Sequence, residues 1–203
     1  MPYYQPDTVI CNGETFSVYI TRKELNRRVA ELGEELCRDY QGKRPIFIGV
    51  LNGAYIFLSD LMRYVQIPCE VDFLKLSSYG DEKVSAGQVT DLKDIDASIE
   101  GRHIILVEDI VDTGLSIKYI LNKLSEKNPA SIATVALLHK TEATLHDVSL
   151  DYVGFEIPNL FVLGYGLDYA QEGRNLAQIY ILNKQQNTDT TDRTDSTDQK
   201  KHP

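Results

Sequence analysis

The chain has 203 residues, a length that favours one domain with room for a tail and leaves little for a second. Hydrophobic residues make up 42% and charged residues 25%, ordinary values for a chain with a sizeable core, which exclude a wholly disordered protein. Lys plus Arg number 21 against 30 Asp plus Glu, and the formal net charge of −9 argues against a broad nucleic-acid-binding face while leaving room for a local basic pocket.

In chain order, Thr21-Arg22-Lys23-Glu24 matches the capping-box pattern, and Leu25, Val29, Leu32 and Leu36 then recur at helical spacing. An amphipathic helix to about Arg38 is expected. Pro45 to Val50 is short, apolar and rich in branched residues, as a buried strand should be; Leu51-Asn52-Gly53 punctuates it before a second helical stretch from Ala54 to about Val65. Further strands are predicted at Glu70–Leu76, His103–Val107, Ser131–Leu138, Asp151–Glu156, Leu160–Leu163 and Gln178–Leu182. The spacing of Ile117, Ile120, Leu121 and Leu124 predicts a third helix between Thr113 and Lys127. The long polar stretch from Ser77 to Asp91 contains two glycines and reads as a mobile loop or hairpin beside the site.

From Asn183 onward only polar or charged residues appear before the closing proline, too little apolar surface to offset an ordering entropy of about 1–2 kcal/mol per residue. Residues 183–203 are therefore read as a disordered tail and 1–182 as the domain. In the tail Asp189, Asp192, Asp195 and Asp198 balance Lys184, Arg193, Lys200 and Lys201, so the acidity belongs to the domain. The three cysteines, Cys11, Cys37 and Cys69, have neither disulfide nor zinc spacing and read as reduced thiols of a cytosolic protein. No apolar run approaches the roughly 20 residues that span a bilayer, and the start MPYYQPD has no leader-like pattern, so a soluble cytoplasmic protein without membrane contact is expected.

Buried strands separated by helices imply βαβ crossovers and a parallel or mostly parallel sheet, an α/β fold. Ligands in such sheets bind beyond the carboxyl ends of the strands, here the loops after Val50, Val107, Leu138 and Leu163. One of these carries most of the information. In His103 to Ser116 (HIILVEDIVDTGLS) an apolar strand runs into Glu108 and Asp109, and Asp112-Thr113-Gly114-Leu115-Ser116 then opens a helix. Thr113 is expected to cap that helix, Gly114 to let a ligand approach the backbone, and the first-turn amides to face the loop. A phosphate fits there, with hydroxyls from Thr113 and Ser116 as added donors and the two carboxylates as acceptors for paired ribose hydroxyls.

The segment VEDIVDTG resembles the signature with which purine phosphoribosyltransferases bind 5-phosphoribosyl-1-pyrophosphate (PRPP). The similarity extends to LNGAY (51–55), SSYG (77–80), LLHK (137–140) and DYVGFEIPNLFVLGYGLDY with EGRNL (151–176), covering roughly residues 15–182. In order, these elements resemble the hypoxanthine or hypoxanthine-guanine branch. The resemblance implies the type I phosphoribosyltransferase fold: a mostly parallel central sheet flanked by helices, with a small hood region and a mobile active-site loop that includes Ser78 and Tyr79.

Residue by residue, the resemblance implies that Glu108 and Asp109 hold the ribose hydroxyls and that Asp112 is the general base for the purine N7 proton. It has residues Asp112, Thr113, Gly114, Leu115 and Ser116 holding the 5′-phosphate. Asn52 and Gly53 would present backbone to the pyrophosphate, in a turn that can contain a non-proline cis peptide, and Arg174 would neutralise that leaving group. Lys140 would donate to the purine O6, Phe161 would stack on the base, and Val162 with Asp168 would read the ring edge. Mg²⁺ is the implied cofactor, with Glu108, Asp109 and Asp168 as its ligands, a suitable setting for a hard cation shared with phosphate oxygens. The implied reaction turns PRPP and a 6-oxopurine into a nucleotide and pyrophosphate, in a homodimer or homotetramer. Two departures stand out. Leu115 and Thr144 occupy positions where some relatives carry basic residues, so phosphate and pyrophosphate binding would rest on other donors. Alternatives of the same fold are a PRPP-sensing RNA-binding regulator, which the acidity disfavours, and an enzyme acting on xanthine.

Overall fold

The computed structural model of the chain describes residues 6–78 and 89–183. The capping box closes: Glu24 N donates to Thr21 Oγ1 at 3.3 Å and Thr21 N donates to the Glu24 carboxylate at 2.9 Å. Two orphan amides are thus satisfied at the start of α1 (Arg22–Asp39), whose apolar stripe Leu25, Val29, Leu32 and Leu36 is buried. The remaining helices are α2 (Tyr55–Met62) and α3 (Leu115–Ser125), each shorter than the periodicity suggests.

Strands β3 (Ile46–Leu51), β4 (Glu70–Ser78), β5 (Val89–Lys93), β6 (His103–Val111), β7 (Ser131–Lys140) and β8 (Tyr152–Ile157) form a sheet in the order β5-β4-β3-β6-β7-β8. Every neighbouring pair is parallel except β4 with β5. Because side chains alternate across a strand, Ile46, Ile48 and Val50 face α3 with Ile104, Leu106, Ile120 and Leu124, while Phe47 faces α1 and α2 with Ile105, Val107, Leu32 and Phe57. Both faces of the sheet are therefore covered, as a parallel sheet requires.

A second, antiparallel sheet in the order β1-β2-β10-β9 forms a hood from the two ends of the described chain: β1 (Thr8–Cys11), β2 (Glu14–Ile20), β9 (Val162–Leu163) and β10 (Ile179–Leu182). Phe16, Leu163, Tyr180 and Cys11 pack as its own small core. Strands β1 and β2 were not expected, although their turn carries a readable signal: Asn12 and Gly13 both have positive φ (48° and 80°), the Asn-Gly hairpin preference. β5 pairs antiparallel with β4, so the stretch read as a mobile loop or hairpin is flanked by a hairpin's two strands.

The largest correction concerns β6. It does not stop at Val107 but runs to Val111, because its ladder with β7 continues through Ile110↔Leu138 and Val111↔His139. Glu108 and Asp109 thus lie on the strand and not in the loop beyond it. β7 likewise extends to Lys140, and the strand predicted at Leu160–Leu163 shrinks to its last two residues. Tyr79 and the loop to residue 88 lie outside the described residues, as does the tail from 184 on, while Ser78 ends β4. Cys11, Cys37 and Cys69 are free thiols. Among the described residues no helix is long and apolar enough to cross a membrane.

Replacing Thr21 with Ala removes the side-chain acceptor at the start of α1 and should lower unfolding free energy by about 1 kcal/mol. Urea denaturation measures this; an unchanged midpoint would show that the capping bonds contribute nothing net.

Candidate active site

Four segments meet beyond the carboxyl ends of the central strands: the turn after β3, the end of β6 with its loop, the turn after β7, and the loop between β9 and β10. A cavity of about 200 Å³ is lined by the ten residues from Glu108 to Ile117. Its floor holds the two adjacent carboxylates. Glu108 is only 6% exposed. Burial, and then the neighbouring Asp109, push Glu108 well above the usual carboxylate range, and burial also raises Asp109. Donation from Ile110 N to Asp109 Oδ1 at 2.9 Å opposes the rise at Asp109, as does a side-chain hydrogen bond with Glu108. Of the two, Glu108 is the more readily protonated.

Beyond them the chain turns at Gly114, whose φ of +83° is one that only glycine adopts without strain. Gly114, and not Thr113, is the N-cap of α3, and no side chain caps it. Thr113 contributes more modestly, its hydroxyl accepting from Leu115 N at 3.4 Å. The first intrahelical bond runs from Lys118 N to Gly114 O at 3.0 Å, so the amides of the preceding turn have no helical acceptor and suit an anion. Leu115 is 37% exposed at this helix start and brings no charge to it.

The turn after β3 presses onto the carboxylates from the side. The Leu51–Asn52 peptide is cis. Any Cβ at Gly53 would overlap the Asp109 carboxylate, and one at Gly166 would overlap the Gly53 carbonyl. Only two glycines in series let these three segments touch. Arg174 then closes the arrangement: Nη1 donates to Gly166 O at 2.8 Å and Nη2 pairs with Asp168 Oδ1 at 2.6 Å, while Asp168 Oδ2 accepts from Gln171 N at 2.9 Å. Two residues not singled out from the sequence complete this side. Gly166 provides the close approach, and Tyr165, 3% exposed, donates its hydroxyl to Asp60 Oδ2 at 2.9 Å and so ties the Arg174 loop to α2. The readable signal was the Gly164-Tyr165-Gly166 triplet, where all three residues have positive φ.

On the opposite side Lys140, 9% exposed at the end of β7, places its ammonium 2.8 Å from Asp112 Oδ2. Phe161 is 45% exposed and meets Tyr169 in a T-shaped contact with ring centroids 5.2 Å apart. Val162 is buried beside it in β9 and pairs with Ile181 of β10.

For a hard divalent cation the donor set is chemically suitable: Glu108 and Asp109 are buried oxygen donors, and among the described residues neither has an ion-pair partner within 4.0 Å. The three expected metal ligands do not form one cage. Asp168 is held by Arg174 on a separate segment, and among the described residues no three His, Cys, Asp or Glu side chains converge as a metal cluster. A cation here would need oxygens from its substrate as well.

Residues 20–170 match the family model described as phosphoribosyl transferase domain. Hypoxanthine-guanine phosphoribosyltransferase of Bacillus subtilis (strain 168) is 45% identical over 165 residues, which are 81% of this chain and 92% of that protein. A crystal structure of a hypoxanthine phosphoribosyltransferase from Staphylococcus aureus superposes with a TM-score of 0.78 at 38% identity, covering 82% of this chain and 91% of that one. A Trypanosoma cruzi hypoxanthine phosphoribosyl transferase, whose C-terminal region was studied for its role in oligomeric state and enzymatic activity, gives 0.77 at 40% identity, with 82% and 91% covered.

The raised position of Glu108 fixes the sign of a pH effect. Above the ordinary glutamate value of 4.5 the folded chain retains a proton that the unfolded chain has released, so stability falls as pH rises through that window. Glu108→Gln removes the titrating group and should flatten the fall. Urea unfolding from mildly acidic to mildly alkaline pH reads this, and equal slopes for the two proteins would mean Glu108 is ionised throughout.

Proposed function

The chain belongs to the phosphoribosyl transferase family, among its hypoxanthine-guanine members, and we propose that the cleft described above carries that family's reaction in the following way. The 5-phosphoribosyl group of PRPP passes to hypoxanthine or guanine, giving IMP or GMP and pyrophosphate, a step of purine salvage. One observation carries the assignment of roles: the Lys140 ammonium and the Asp112 carboxylate stand 2.8 Å apart. A 6-oxopurine presents an acceptor, O6, and a donor, N7–H, at neighbouring positions on one edge. A donor and an acceptor held side by side are its complement. Adenine would set its amino group against the ammonium and leave both donors unsatisfied, which is why Lys140 selects the oxo group.

PRPP spans the rest of the cleft. Its 5′-phosphate lies over residues 112–116, held by main-chain amides and the Thr113 and Ser116 hydroxyls; Leu115 adds no charge. Glu108 and Asp109 take the ribose hydroxyls, and the backbone of Asn52 and Gly53 with Arg174 holds the pyrophosphate. The half-exposed Phe161 ring stacks on the base. N9 of the base forms a bond to C1′ as the C1′–O bond to pyrophosphate breaks and its electron pair leaves with the phosphate. Asp112 receives the N7 proton, so positive charge does not build on the attacking ring. Arg174 stabilises the charge growing on the leaving group. Glu108 and Asp109 on one segment and Asp168 on another would each offer carboxylate oxygens to Mg²⁺, with substrate oxygens completing the coordination, and the metal would supply further neutralisation of pyrophosphate. The loop containing Ser78 and Tyr79 would keep water from the activated ribose. The enzyme would work in the cytoplasm as a homodimer or homotetramer.

Purified protein incubated with PRPP, Mg²⁺ and each of hypoxanthine, guanine, xanthine and adenine should yield IMP and GMP, and EDTA should abolish the yield. Nucleotide from adenine alone would overturn the role of Lys140, and full activity in EDTA would overturn the metal. Asp112→Asn should cut kcat with hypoxanthine by about 10²-fold or more, the typical range for a positioned base, while PRPP still binds. Unchanged turnover would remove Asp112 as the base.

A further inference from the structure

The proton-accepting and O6-donating groups sit just past the point where the sheet stops holding their strands together. The last register pair between β6 and β7 is Val111↔His139, one residue short of both Asp112 and Lys140. Lys140 remains tied to β8, opposite Ile157, but Asp112 has left the ladder. The ion pair between them cannot set their spacing by itself, because the Asp112 side chain is 50% exposed and such contacts are weakly restraining in water.

The turn after β7 supplies the missing tie. Ala143 N donates to Lys140 O at 3.1 Å, and Leu145 N and His146 N each donate to Thr113 O at 3.1 Å, so residues 143–146 fold back over the phosphate loop. Between these bonds Thr144 Oγ1 lies 2.9 Å from Asp112 O and 3.0 Å from Lys140 O. His139 Nε2 is 3.1 Å from the same oxygen. A threonine hydroxyl has one proton and two lone pairs. With Nε2 protonated, the imidazole donates to the hydroxyl, whose own proton then serves the two carbonyls, singly or shared.

We infer that Thr144 is a positioning residue for the transfer: its hydroxyl bridges the main chains beneath Asp112 and Lys140 and sets the gap that receives the N7–O6 edge of the base. The inference rests on the reading of the Lys140–Asp112 pair given above. Thr144 bonds inward, to main-chain carbonyls on both sides of the gap. It acts through two carbonyls, so what it requires is a hydroxyl and no charge.

Thr144→Val keeps the shape and removes the bridge; Thr144→Ser keeps the bridge and removes the methyl group. For T144V, kcat/KM for hypoxanthine should fall about tenfold, while KM for PRPP stays near wild type and Tm drops by no more than about 2–4 °C, the cost of one lost neutral hydrogen bond. T144S should recover most of the lost activity. The inference is overturned if T144V matches wild type, if T144S is as impaired as T144V, or if KM for PRPP worsens in step with the activity. Should T144V not fold, Thr144→Ala replaces it in the same comparison. Failure of the wild type to convert hypoxanthine would overturn the reading of the pair and this inference with it, whereas an active wild type with an indifferent T144V overturns the inference alone.

Discussion

Glu108 and Asp109 occupy adjacent positions near the end of a buried parallel strand, and the cost of keeping two carboxylates there governs the rest of the cleft. Two like charges in contact and out of water do not both ionise without a counter-charge. The fold answers by pushing Glu108 well above the usual carboxylate range, by giving Asp109 the Ile110 amide, and by bringing Arg174 near enough to favour the ionised form of Asp109. It also forbids any side chain where the turn after β3 meets Asp109, since a Cβ at Gly53 would occupy the carboxylate's place. A site poised in this way gains from a cation and from hydroxyl donors, which a ribose and a divalent metal bring together.

The net charge of −9 is compatible with an anionic substrate because phosphate is met by other means. In the proposed site the donors at residues 112–116 are main-chain amides and hydroxyls, which carry no net charge and cluster at the αL turn of Gly114 and the start of α3. Two cations among the described residues carry the roles proposed for positive charge: Arg174, paired with Asp168 and bonded to Gly166 O, toward the leaving group, and Lys140, paired with Asp112, toward the base.

The backbone of the fold was largely legible. Branched apolar runs at Ile46–Leu51 and His103–Val107 announce buried parallel strands, and the Thr21–Glu24 box with its apolar stripe announces α1, because these signals are local and repeat with the period of the element. Where reading failed, long-range pairing had decided. Glu108 and Asp109 look like loop residues by polarity, yet β7 continues the ladder past them. The hood strands β1 and β2 pair with β10 from the far end of the chain, a contact for which composition carries no sign. Thr113 has the chemistry of a cap, but the positive φ at Gly114 moves the cap one residue onward.

By itself the sequence determined the α/β class, the acidic segment followed by a phosphate-suited helix start, and, through motifs in a fixed order, the family. Those properties depend on neighbours within a few residues or on matching a pattern. Only the tertiary structure decided that Gly53, Asp109 and Gly166 stack without side chains between them, that Lys140 faces Asp112 from the next strand, and that Thr144 bridges the two main chains. Apart from Thr144 and Lys140, these residues come from segments tens of positions apart, and what brings them together is the packing of strand ends and loops from different parts of the chain, a property of no single segment.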